Sequence, residues 1–70
     1  MQEAHKKLGK RIAELRRKRG FSQEGFAGEC GFHRSYMGAV ERGEKNITLA
    51  MTNRIAKTLG ISLSELFKGV

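Results

Sequence analysis

Arg34, Ser35, Gly38, Ala39 and Arg42 share one face when the stretch around them is wound at helical spacing. That face is basic at both ends and nearly bare between them. An arginine fork gives two parallel hydrogen bonds to a planar acceptor, which suits guanine O6 and N7 and suits a phosphate equally well. A serine hydroxyl can bond either a base or a phosphate, and an alanine methyl can touch a thymine methyl. Gly38 brings no side chain, so a helix with this face can come close to its partner but reads little there. The chemistry is recognition by hydrogen bonding and charge. Bond-breaking chemistry finds no comparable set: the chain has no acidic pair, no nucleophile–base couple and no phosphate-cradling loop, so no enzyme is expected. Cys30 and His33 have a C-x2-H spacing, but two ligands do not make a zinc site, and neither a metal nor another cofactor is expected.

Lysine and arginine number 14 against 7 aspartates and glutamates, a formal charge of +7 on 70 residues. An excess this large in so short a chain points to a polyanionic partner. Cys30 is the one cysteine, which fits a reducing compartment. No run approaches the roughly 18 apolar residues of a membrane span, and the N-terminus lacks an apolar signal core. The expectation is a cytoplasmic protein with no membrane partner. The length allows one domain, residues 1–70, with residues 1–6 polar and frayed. Such a chain buries only roughly 60 % of its unfolded surface, so a second copy would add stability.

Five helices must position these residues. No segment alternates apolar and polar residues for long enough to form a strand, so the fold class is all-α. The first helix is expected over about 7–18, with Leu8, Ile12 and Leu15 as its apolar stripe. The basic run from Arg16 to Arg19 closes it and suits the negative end of the helix dipole; direct DNA contact is an equal reading of that run. Ser22 caps a second helix through Cys30, with Phe26, Ala27 and Cys30 on its inner face. Gly25 and Gly28 are costly inside a helix, by about 1 kcal/mol each, and close approach to DNA or to a neighbouring helix would explain them. Gly31 makes the turn. A third helix spans about 34–42, with His33 at its N-cap and Met37 and Val40 facing inward. Thr48 caps a fourth helix to Leu59, with Leu49, Ile55, Ala56 and Leu59 on its buried side and Thr52 as a polar exception. Ser62-Leu63-Ser64-Glu65 is a capping box for a short fifth helix. Leu63, Leu66 and Phe67 on that helix complete a core or form the seam of a dimer.

Two short helices joined by a glycine turn, in a basic protein, look like a helix-turn-helix DNA reader. From Leu8 to Phe67 the chain resembles the lambda-repressor-like, or XRE-type, regulators. Gln23, Ala27 and Gly31 fall at that family's helix-turn positions, and LGISLSELF resembles its fifth helix. Arg34-Ser35-Tyr36-Met37-Gly38, then Glu41-Arg42-Gly43 and Asn46-Ile47-Thr48, are similar to the controller proteins of restriction–modification systems. His33, Phe26 and Thr52 depart from the usual residue types.

The resemblance implies a transcription regulator acting as a homodimer on a two-part double-stranded operator. Its third helix would lie in the major groove, with half-sites roughly 34–36 Å apart. Arg34, Ser35 and Ala39 are then the base readers. Gln23, Tyr36, Arg42, Lys45, Asn46 and Thr48 are the phosphate set, the last three standing before a helix N-terminus that favours anions. A glutamate at position 41 pairs with an arginine of the first helix in this family, which implies a Glu41–Arg16 bridge. Leu63, Leu66 and Phe67 are the dimer candidates, and RNA polymerase is a further partner. The rival reading is an antitoxin-type interaction module whose Leu63–Phe67 surface covers a toxin; a generic phage-type repressor would share the DNA chemistry.

Overall fold

The computed structural model describes residues 2–70, with Gln2 by its backbone alone. Its helices are α1 (Gln2–Lys18), α2 (Gln23–Cys30), α3 (Arg34–Glu41), α4 (Leu49–Leu59) and α5 (Leu63–Leu66), with no strand among the described residues.

Local sequence fixes the boundaries. Ser22, Thr48 and Ser62 each accept from the backbone N–H three residues on, at Gly25, Met51 and Glu65, at 3.0, 3.1 and 3.0 Å. Gly31 ends α2 at φ +80°, the left-handed region where a Cβ is disfavoured. Phe32 N–H then reaches back to Ala27 O at 2.8 Å, which closes the turn into α3. The Glu65 side chain pairs with Arg11 at 3.2 Å.

Every helix sends at least one fully buried side chain into a single cluster: Ile12, Phe26, Met37, Ile55 with Leu59, and Leu66. Leu66 is therefore a correction. Named for a core or for a dimer seam, it lies wholly inside this cluster and so leaves the dimer set, because α5 is one turn long and packs against α1 and α4. Leu63 is half-buried against the cluster and Phe67 remains 39 % exposed. Leu49 is a second correction: it is 70 % exposed, since Ile47 packs against the cluster just before α4 begins. Thr52 is buried with its hydroxyl donating to Thr48 O at 2.7 Å, so its polar atom is satisfied.

The N-terminal segment differs from the expectation of fraying. Residues 3–6 continue α1, and Met1 lies outside the described residues. The reason is tertiary: the backbone of Lys6 lies against Gly43, where a built Cβ would stand 2.7 Å from Lys6 Cα. Glu3 in the first turn also suits the positive end of the helix dipole.

No neighbouring helix stands where a side chain on either odd glycine of α2 would go. A Cβ at Gly25 would meet only the Ser22 cap at 3.0 Å, and one at Gly28 would meet nothing within 4 Å. Gly28→Ala is therefore expected to stabilise the fold by about 0.5–1 kcal/mol, the ordinary helix preference. Thermal melting would show it, and a lower melting point would contradict the open space around that position.

Candidate nucleic-acid interface

The turn between α2 and α3 is held from inside. Phe26, Ala27 and Cys30 of α2 pack with Met37 and Val40 of α3 in the core. Cys30 is free and buried, and burial pushes its thiol above the ordinary range. Among the described residues no three His, Cys, Asp or Glu side chains gather as a metal site.

Outside, α3 presents Arg34 and Ser35 to solvent. His33 caps the helix, with Nδ1 accepting from Ser35 N–H at 3.2 Å and lying 2.8 Å from the Ser35 hydroxyl. Arg42 pairs with Glu44 on the surface through two bonds of 3.0 and 3.1 Å. That guanidinium holds the Glu44 carboxyl below its usual range. The middle of the face is not bare. Gly38 lies beneath Arg42 and Gln23, since a Cβ there would stand 3.2 Å from Arg42 Nη1 and 3.4 Å from Gln23 Oε1. Ala39 is a correction to the base-reading set: at 7 % exposure, its methyl has little surface to offer a thymine.

Gln23 is itself anchored. Its amide donates to Glu41 Oε1 at 3.0 Å. Arg16 holds the same carboxylate through Nε to Oε2 at 2.7 Å and Nη2 to Oε1 at 3.0 Å, and gives Nη1 to Phe21 O at 3.0 Å. The Arg16 and Glu41 side chains are only 8 % and 6 % exposed. One carboxylate thus ties α1, the start of α2 and the end of α3 together.

A second group gathers before α4. Lys45 and Asn46 are exposed, and Thr48 follows at the cap. Tyr36 is half-buried, edge-on to Phe32 with ring centres 5.4 Å apart. Its hydroxyl donates to Met51 Sδ at 3.0 Å, a weak acceptor.

The sequence reading missed a third group. A cleft beside α3 is lined by Lys6, Lys10 and Arg17 of α1 on one side, and by Gln23, Gly38, Arg42 and the Arg16-paired Glu41 on the other. Lys6, Lys10, Ala13 and Arg17 recur at spacings of four and three, so the stripe was visible in the sequence. The adjacent run Arg16–Arg19 obscured it. Two members of that run are used inside the protein: Arg16 by Glu41, and Arg19 by the Leu59 carbonyl at the end of α4.

Residues 9–70 match the model of a family described as a helix-turn-helix domain. The chain belongs to the helix-turn-helix family. Control protein C.MunI of Mycoplasma sp is 37% identical over 65 residues, spanning 91% of this chain and 88% of that one. The crystal structure of the restriction-modification controller protein C.AhdI from Aeromonas hydrophila superposes with TM-score 0.88. It is 42% identical and covers 93% of this chain and 94% of its own. The restriction-modification controller protein C.Esp1396I is 28% identical with TM-score 0.83, over 93% of this chain and 86% of its own; its structure is of a tetramer in complex with its natural 35 base-pair operator. The five helices of this chain are thus the XRE-type arrangement, and restriction–modification controllers are among its relatives.

Proposed function

We propose that the chain is a sequence-specific regulator of transcription that binds double-stranded DNA as a homodimer, as a controller of a restriction–modification system. The observation that carries this reading is the surface of α3. Arg34 and Ser35 project from its N-terminal turn, with the cationic cleft of Lys6, Lys10 and Arg17 on one flank. The group of Lys45, Asn46 and Thr48 precedes the N-terminus of α4. A base-reading turn accompanied by these two cationic groups fits a major groove and the backbones that border it. The free amide hydrogen of Gln23 and the exposed Arg42 add to the phosphate set, and the Tyr36 hydroxyl would exchange its weak sulfur partner for a phosphate oxygen at small cost. The operator-bound relative supports the same use of this fold.

The dimer seam retains Leu63 of α5 and Phe67 at its C-cap, which keep accessible apolar surface. RNA polymerase is the protein partner that control of transcription implies, and the cytoplasm is where such a regulator meets its operator. Among the described residues no helix is long and apolar enough to cross a membrane.

Two substitutions test the reading on a duplex selected from a random pool. Arg34→Ala is expected to weaken the selected site more than random DNA, because it removes a contact of about 1–3 kcal/mol that depends on sequence. Lys45→Ala is expected to weaken both alike and to reduce the salt slope by about one. Equal losses for Arg34→Ala would make it a phosphate contact, and an unchanged slope would remove Lys45 from the phosphate set.

A further inference from the structure

We infer that His33 fixes the Ser35 hydroxyl as an acceptor toward DNA, so that this position selects an amino base, adenine or cytosine, over a keto base, guanine or thymine. The inference rests on the DNA-reading role of α3 proposed above.

The polarity follows from two contacts at one ring nitrogen. A backbone amide always carries its hydrogen, and the Ser35 amide lies 3.2 Å from His33 Nδ1 in donating geometry. Nδ1 must therefore offer a lone pair, and the neutral ring carries its proton on Nε2. The Ser35 hydroxyl oxygen is 2.8 Å from that same nitrogen. With no hydrogen on the nitrogen, only the hydroxyl can supply one, and the amide and the hydroxyl share the single lone pair of that ring nitrogen. Serine has a single hydroxyl hydrogen and two lone pairs, and the hydrogen is spent inside the cap. Ser35 is an exposed residue, and what its oxygen has left to offer is acceptor capacity alone.

In the major groove the donors are the exocyclic amines, N6 of adenine and N4 of cytosine, whereas guanine O6 and thymine O4 are acceptors. A lone pair facing O6 or O4 is repelled, and one facing an amine is bonded. A free serine would rotate its hydroxyl to suit either class, so the discrimination belongs to His33 as a positioning residue and not to Ser35 alone.

The other caps of this chain supply the control. Ser22, Thr48 and Ser62 each accept from the amide three residues on, while His33 accepts from the amide two residues on. His33→Ser should therefore cap through the Tyr36 amide and release the Ser35 hydroxyl. The fold is kept, which a melting curve checks, since serine is a favoured N-cap.

The experiment uses the full chain at pH 8. A preferred duplex is selected from a random pool, and binding is then measured with all four base pairs at every position. Ser35→Ala identifies the position that Ser35 reads. Wild type is expected to favour an amino base there by about three- to tenfold, the worth of one hydrogen bond. His33→Ser is expected to bring that ratio to within about twofold while leaving the preference assigned to Arg34 intact. A keto preference at that position, an unaltered ratio in His33→Ser, or a Ser35→Ala variant that changes no position would each overturn the inference and leave DNA recognition standing. A wild-type chain that selects no duplex would overturn both.

Discussion

Glu41→Gln is expected to remove about 3 kcal/mol of stability, near the low end for breaking a buried pair. At about 5 °C per kcal/mol for a domain of this size, the melting temperature should fall by roughly 15 °C. The geometry explains why so small a change does so much. The Glu41 carboxylate accepts from Arg16 Nε and Nη2 and from Gln23 Nε2. A glutamine replaces one of those oxygens with an NH2, so a donor must face a donor whichever way the amide turns. The Arg16 charge then stays in a site where its side chain is 8 % exposed, with no negative partner. Replacing both residues, as in Arg16→Met with Glu41→Leu, should recover much of the loss, because the pair's desolvation cost disappears with it. A Glu41→Gln melting point within a degree or two of wild type would mean that the bridge does not hold the fold. Binding supplies a second readout: Gln23 is steered by this carboxylate, so DNA affinity should fall even at temperatures where the variant is fully folded.

How much of this site was legible in the sequence depends on the kind of information each residue carries. Ser22, Thr48, Ser62 and Gly31 set helix ends through bonds to backbone a few residues away, so their residue types locate the helices by themselves. Apolar spacing placed Phe26, Met37, Ile55 and Leu59 inward, but a stripe does not say where a core stops. Leu49 and Leu66 both sit on such stripes, and only Leu66 is inside. Gly38 looked bare because its roof, Gln23 and Arg42, comes from another helix and from beyond the end of its own. His33 looked like a poor cap by type, yet its ring nitrogen performs the role and adds a bond to Ser35 that the preference scale for caps does not contain. The contact that holds the start of α1 at Lys6 is likewise invisible locally, since it is made with Gly43, far along the chain.

Gly9→Ala should destabilise the fold by about 2–3 kcal/mol, the cost of overpacking less the helix preference that alanine gains. Gly9 lies in the interior of α1, where alanine is ordinarily the better residue. Here the helix runs against the end of α3. A Cβ on Gly9 would stand 2.6 Å from Glu41 O and 2.8 Å from Glu41 C, with Val40 O closer still. These are backbone atoms, so no rotamer change relieves the contact. α1 and α3 must separate, and the separation opens at the residue whose side chain bridges them. For that reason Gly9→Ala and Glu41→Gln should not add: the double variant should lose less than the sum, because each loosens the same joint. Denaturant unfolding of the two single variants and the double would measure this coupling. The same substitution at Gly28, in open space, has the opposite expected sign. The contrast isolates close backbone approach as the cause, since helix preference alone would raise stability at both positions. A Gly9→Ala variant as stable as wild type would show that α1 can slide away freely, and the Arg16–Glu41 bridge could then not be what ties α1 to α3.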